Sequence, residues 1–303
     1  MSDIGRDLEP VRVIKSTRDN RVVIRKLVDL FAYRELLGNL VRKELKVRYR
    51  NSVLGFVWSM LNPAMYLLIF YAVFTVFLRS GIPYFPIFLL SGLLGWNLLS
   101  SSLGGGAASI VGNSTLVTKV YFPREILPLA AIGASLIHFC LQFLVLIAGV
   151  LAFRYPIDPE GLILIPSALI TLLLMLAGLT LILASANVYF RDVQHFLELL
   201  LLAWFWMTPI VYPVRLVSEH AGALLWKIYT LNPALWISLA FQRGVYGTVD
   251  TVDASGKVQH ILLDMPVSGY MARLGIVAAV SLVLLYVGLS IFARLESRLA
   301  EEL

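Results

Sequence analysis

Five long stretches of this chain, residues 56–78, 84–103, 126–153, 162–190 and 274–293, contain no Asp, Glu, Lys or Arg. A sixth, residues 196–212, is shorter and holds Glu198 near its start. A helix needs about 20 mostly apolar residues to cross the hydrocarbon core of a bilayer. A membrane barrel would instead alternate apolar and polar residues in runs of about ten. The pattern predicts an all-α polytopic membrane protein with six transmembrane helices. Composition agrees: of 303 residues 59% are apolar and 15% charged, with a mean hydropathy of +0.81. No soluble core of this size buries so much apolar surface. An ordinary cytosolic enzyme, a disordered chain and a nucleic-acid-binding module are excluded. The single cysteine, Cys140, rules out a disulfide framework and a thiolate zinc site.

Basic residues set the expected orientation. Thirteen of the 25 Lys and Arg precede residue 55, and Lys119, Arg124, Arg191, Arg294 and Arg298 fall on the same side of a six-span topology. The side richer in Lys and Arg is cytoplasmic. Both termini are therefore expected inside, with the basic residues near anionic headgroups. The net charge of +6 is read as contact with the membrane, not with nucleic acid.

Four regions are expected along the chain. Residues 1–27 are polar and aperiodic and read as a flexible cytoplasmic arm. Residues 28–54 read as an amphipathic helix: Leu30, Tyr33, Leu37, Leu40, Val41, Leu45 and Tyr49 recur at helical spacing, opposite Arg34, Arg42, Lys46 and Arg50. Such a helix lies in the interface with its apolar face in acyl chains; a solvated helix end leading into the first span gives the same pattern. Residues 55–293 form the transmembrane domain and 294–303 a cytoplasmic tail.

Two connections are more than connectors. In residues 104–125, Gly104–Gly106 are expected to loosen the end of the second span. Asn113 and Ser114 are expected to cap a short helix reaching about Tyr121, and Pro123 to end it. In residues 213–273, the segments 223–231 and 234–245 are apolar but too short to cross, which reads as two short re-entrant helices or as a flat external cap. Asn232-Pro233 supplies the turn between them, and residues 248–260 read as an exposed hairpin around Ser255-Gly256.

Several chemistries are missing. The chain has no phosphate-binding GxxxxGK[ST] loop, no HExxH and no paired carboxylates at a membrane face. His138 is the one titratable group within a long span, and a lone His is usually a packed, hydrogen-bonded side chain. No internal repeat is visible, which argues against an inverted-repeat carrier. The pattern is that of a passive path whose energy comes from another subunit, with no catalytic residue, no metal site and no cofactor of its own.

Five segments together resemble the permease subunits of ABC-2 type ATP-binding-cassette exporters, in their polysaccharide branch. They are residues 46–63 (KVRYRNSVLGFVWSMLNP), 119–129 (KVYFPREILPL), 187–193 (NVYFRDV), 204–213 (WFWMTPIVYP) and 231–247 (LNPALWISLAFQRGVYG). The resemblance runs from about residue 30 to 293. It implies a homodimeric channel in a bacterial cytoplasmic membrane, driven by two separate nucleotide-binding subunits that hold ATP and Mg. It also implies export of a lipid-linked glycan such as O-antigen, teichoic acid or actinobacterial galactan. A drug- or lipid-exporting ABC-2 permease would share the fold. A membrane-embedded lipid-glycan transferase is the alternative from another class.

Within that frame, Asn113, Ser114, Lys119, Tyr121, Phe122, Arg124 and Glu125 are expected to couple to the ATPase. Lys46, Arg48 and Arg50 are placed to meet a carrier-lipid headgroup, or to anchor to bulk headgroups. Trp58, Asn62, Tyr66, Phe70 and Phe74, four residues apart, form an aromatic band that could line a glycan channel or face lipid. Trp226, Trp236, Phe241 and Arg243 are expected to form an external gate, with Trp236 and Phe241 toward the lumen or the partner copy and Arg243 at the water boundary.

Overall fold

The computed structural model describes residues 32–48, 72–77, 82–252 and 258–295, with single positions 58, 61, 64, 65, 68 and 69. The expected arm, most of the first span and the last residues of the tail lie outside them. The described chain is helical except for one small hairpin. Its helices are α1 (Arg34–Arg48), α2 (Phe85–Ala108), α3 (Ser114–Lys119), α4 (Ile126–Ala152), α5 (Leu164–Tyr189) and α6 (Val193–Trp206). After these come α7 (Val214–His220), α8 (Ala223–Thr230), α9 (Pro233–Val245) and α10 (Val267–Leu295). Ala72–Phe77 forms a π-helical turn. Strands β1 (Asp250–Val252) and β2 (Val258–His260) pair antiparallel, with Thr251 opposite Gln259, at the place read as a hairpin.

Among the described residues four helices are long and apolar enough to cross a membrane: Phe85–Ala108, Ile126–Ala152, Gly161–Tyr189 and Val267–Leu295. Each matches an expected span. The stretch expected as a span over 196–212 differs. Its helix is α6, 14 residues long, and the chain then runs non-helically to Pro213. The sequence WMTPIVYP explains the break, because Pro209 offers no N–H to continue a helix and excludes α geometry at Thr208.

The end of α2 also departs from expectation. The helix runs through Gly104, Gly105 and Gly106 to Ala108. The helix is not loosened, and Gly106 allows a close crossing: a Cβ there would stand 2.5 Å from Thr180 Cγ2 on α5, whereas Gly104 has open space around it. Asn187 on α5 donates to the carbonyl of Ala107 at 3.0 Å and fixes the same crossing.

Two apolar clusters divide the bundle. The smaller lies at the end carrying α1 and α3 and joins Leu40, Ile110, Val117, Phe122, Ile126, Leu181 and Phe292. The larger fills the middle and far end and includes every apolar residue of α9 from Ala234 to Val245. Helix α9 packs on α2, α5 and α10. It runs antiparallel to the first half of α2. Tyr246 hydroxyl donates to Pro83 carbonyl at 2.7 Å, Gln242 lies at Gly92, and Ile237 and Phe241 lie at Gly95. Its first turn is thus level with Trp96, about 18 Å along α2 from Tyr84.

The most extensive helix pair is α5 with α10. It is set by Gly178 facing Gly288, where a Cβ on Gly288 would stand 2.6 Å from the Gly178 carbonyl oxygen. Small residues at a crossing let backbones approach and maximise dispersion contact. We expect Gly288→Ala to cost about 1–3 kcal/mol by overpacking. Gly275→Ala on the same helix, with open space around it, should be neutral. Thermal unfolding in detergent measures both.

Candidate functional site

At one end of the bundle, α1 and the loop carrying α3 form a single platform. Leu40 is buried and Val41 sits over Gly133, so the apolar face of α1 packs on α4. That corrects the expectation of an apolar face given over to acyl chains; Tyr33 and Val47 remain exposed. Lys43 Nζ donates to Asn113 Oδ1, and Asn113 Nδ2 donates to Ser109 carbonyl at 2.7 Å. Asn113 occupies the N-cap position of α3 without capping it, because its side chain is spent on these two bonds. Ser114 begins the helix and is half-buried, its carbonyl accepting from Thr118 Oγ1 at 3.0 Å.

The expected coupling residues separate into two kinds. Lys119 and Tyr121 are exposed, Tyr121 fully, and Val120 beside them is half-exposed. Phe122 and Glu125 are buried, with Arg124 between the two extremes. Phe122 belongs to the core beneath the loop, so Tyr121 and Lys119 are the groups presented outward. Lys46 is exposed on α1; the side chain of Arg48 and all of Arg50 lie outside the described residues. Of the aromatic band, Trp58 is exposed, and the side chains of Asn62, Tyr66, Phe70 and Phe74 lie outside the described residues.

At the opposite end the two short helices differ sharply. No residue of α8 is buried, and Leu224, Leu225, Ile228 and Leu231 are largely exposed. Trp226 stacks on Tyr229 with ring centroids 5.8 Å apart. Helix α9 is buried throughout. Phe241, at 0% exposure, packs on Phe139 of α4 and on Gly95, inside its own subunit. Trp236 is buried and donates its indole N–H to Thr230 carbonyl at 2.8 Å. Both rings are buried within their own subunit, which corrects the expected gate: Phe241 packs against α2 and α4, and the Trp236 ring is covered by Arg273 of α10.

Arg243, 6% exposed, is also internal, not at a water boundary. Its guanidinium donates to Asp158, in the turn between α4 and α5, at 2.6 Å. That bond holds the Asp158 carboxyl below the usual carboxylate range. Tyr155 hydroxyl donates to Tyr246 carbonyl, and the two rings stack 5.8 Å apart. Burial raises the Tyr155 phenol well above its ordinary value, so it stays a donor. The other end of α9 is held by Asn232. It accepts from Trp204 Nε1 at 2.8 Å and from Ala234 N at 3.0 Å, and donates to Met207 carbonyl at 3.1 Å. Gln242 donates to Pro209 carbonyl at 3.0 Å, and Tyr212 to Trp206 carbonyl at 2.6 Å.

Sequence reasoning found Asn232-Pro233 as a turn but missed these side-chain roles. The available signal was the pair Gln242-Arg243 within an apolar helix, since buried polar groups need partners. We expect Asp158→Asn to cost about 2–3 kcal/mol at neutral pH by leaving the buried guanidinium without its counter-charge. A depressed carboxylate stabilises above its unfolded pKa and ceases to as pH falls through the folded one. The difference between wild type and variant should therefore be full at pH 7 and shrink below about pH 4. Unfolding curves across pH check this.

Residues 35–246 match the ABC-2 type transporter family. The chain is 37% identical over 282 residues to the O-antigen export system permease protein RfbA of Myxococcus xanthus, covering 93% of this chain and 100% of that one. It is 30% identical to the protein of the same name from Klebsiella pneumoniae, over 88% of this chain and 94% of the other. The polysialic acid transport protein KpsM of Escherichia coli is 24% identical over 62% of this chain and 74% of its own length. A membrane protein with this helix order, similar over nearly its whole length to export permeases, belongs to the ABC-2 type transporter family.

Proposed function

We propose that the chain is the membrane permease of an ATP-driven exporter that moves a lipid-linked polysaccharide across a bacterial cytoplasmic membrane. The observation that carries this reading is its likeness to an O-antigen export permease over that protein's full length. In this reading two copies form the path and two separate ATPase subunits supply ATP and Mg. Six spans place both termini inside, with residues 56–78 and the stretch around α6 as the first and fifth.

The geometry supports the division of labour. The platform of α1 and α3 faces the cytoplasm and receives the ATPase. The Lys43–Asn113 bond and the packing of α1 on α4 make the platform rigid, so that a displacement of Tyr121 moves whole spans. Lys46, Arg48 and Arg50 meet the headgroup of the lipid carrier at the same face. Span one, with Trp58, Asn62, Tyr66, Phe70 and Phe74, offers the aromatic surface along which sugar rings slide. The pair α8 and α9 is re-entrant: α9 begins level with Trp96 and climbs back to the level of Pro83. Being buried and tied at both ends, α9 is the fixed half. The exposed apolar α8, carrying Trp226, is the movable half that closes the path.

Deleting the gene tests the function. A lipid-linked glycan should accumulate on the cytoplasmic face and return to normal on complementation; unchanged surface glycan with no accumulation would reject export of this substrate class. Coupling is tested by separating the two aromatics. Tyr121→Ala should abolish co-purification of the ATPase at unchanged thermal stability, whereas Phe122→Ala should cost about 3–5 kcal/mol of stability. Wild-type co-purification in Tyr121→Ala would remove the loop from the interface.

A further inference from the structure

Helix α10 carries two charges, Arg273 and Arg294, and Arg273 stands just before the uncharged stretch 274–293. Arg273 is its seventh residue, about 9 Å along the helix from Val267. It is exposed, and it lies on the same stripe as Ile276, Val280, Val283 and Val287, which follow at steps of three and four and are also exposed. An outward stripe of Ile and Val along a membrane helix is a lipid-facing stripe. No carboxylate among the described residues pairs with Arg273. Its guanidinium carbon instead lies 5.0 Å from the centroid of the Trp236 ring.

That ring is a fixed platform. Trp236 is buried, its indole N–H is committed to Thr230 carbonyl, and α9 beneath it is held at Asn232 and Arg243. A guanidinium attracted to an aromatic face keeps its N–H donors free at the edges. A long side chain at a bilayer surface ordinarily snorkels toward water. Here the attraction of the ring draws the cation toward α9 at the edge of the uncharged stretch, and no hydrogen-bond partner among the described residues occupies its N–H donors. The ligand chemistry that answers a fork of N–H donors at the end of a membrane span is a phosphate on a lipid.

We propose that Arg273, seated on Trp236, is a binding site for the phosphate of a lipid in the outer leaflet. The site rests on the orientation given above for α10. Two sources share the chemistry: a bulk anionic phospholipid, or the phosphate-bearing end of the polyprenyl carrier as it leaves the path. A carrier held here would sit beside the re-entrant pair, at the place where its glycan emerges.

The test uses the purified full-length permease and native mass spectrometry. Wild-type protein is equilibrated with phosphatidylglycerol, with phosphatidylcholine, or with undecaprenyl phosphate. Arg273→Gln should bind phosphatidylglycerol or undecaprenyl phosphate about tenfold more weakly, with Arg273→Lys intermediate because a point charge replaces the fork. Trp236→Phe, which keeps a ring but not the indole hydrogen bond, should weaken the same lipid less than Arg273→Gln does. Thermal unfolding confirms that each variant is folded. Preference for undecaprenyl phosphate identifies the carrier; preference for phosphatidylglycerol identifies a structural lipid. Equal retention of all lipids by wild type and Arg273→Gln overturns the site. Orientation is read separately by labelling Met271→Cys, in a Cys140→Ser background, with a membrane-impermeant thiol reagent. Labelling only from the cytoplasmic side would reject the outer leaflet and the topology while leaving the lipid measurement intact.

Discussion

Four carbonyls, from the last residue of α6 to Pro209, determine much of the structure around them. Where a helix stops inside a bundle, its last carbonyls have no partner along the chain, and hydrocarbon supplies none. Here each is met. Trp206 carbonyl accepts from Tyr212 hydroxyl, Met207 from Asn232, Thr208 from the backbone N–H of Ile210, and Pro209 from Gln242. Two of the donors sit at α9 or its cap. The break in α6 and the burial of α9 are therefore one feature: the break needs donors, and α9 brings them.

The same arrangement explains why α9 carries polar residues at all. Asn232, Gln242 and Arg243 lie in a helix and cap otherwise made of Pro, Ala, Leu, Trp, Ile, Ser, Phe, Gly and Val. Each costs free energy to bury alone and becomes favourable only with its partner from α6, from the segment after it, or from the turn before α5. Helix α8 has no buried residue and is tied only near its end, where Thr230 carbonyl accepts from Trp236 and Tyr229 hydroxyl meets that of Tyr212. Burial in this end of the molecule is thus graded, with a buried helix beside an exposed one, and local stability follows burial.

Much of this architecture could be read from the chain. The uncharged runs located the four long helices because hydropathy reports directly on the solvent a helix must cross. The hairpin and the Asn-Pro turn were visible from local turn chemistry. What was hidden depended on distant pairs. Phe122 and Tyr121 are adjacent aromatics, and nothing local says that one enters the core and the other points out. Gly104–Gly106 look like a flexible end until Thr180 is brought beside Gly106. Arg243 finds Asp158 85 positions away. The apolar face of α1 could serve lipid or protein equally well, and only the position of Gly133 decides for protein.

Helix α6 covers about 21 Å against a hydrocarbon thickness of about 30 Å. The non-helical residues up to Pro213 complete the crossing, and lipid beside the helical part alone meets a short wall that favours local thinning. Thinning shortens the distance that a charged headgroup travels between leaflets and lowers the barrier to its passage. A span that is helical for only part of its depth would then, in the proposed export role, make the membrane itself part of the path.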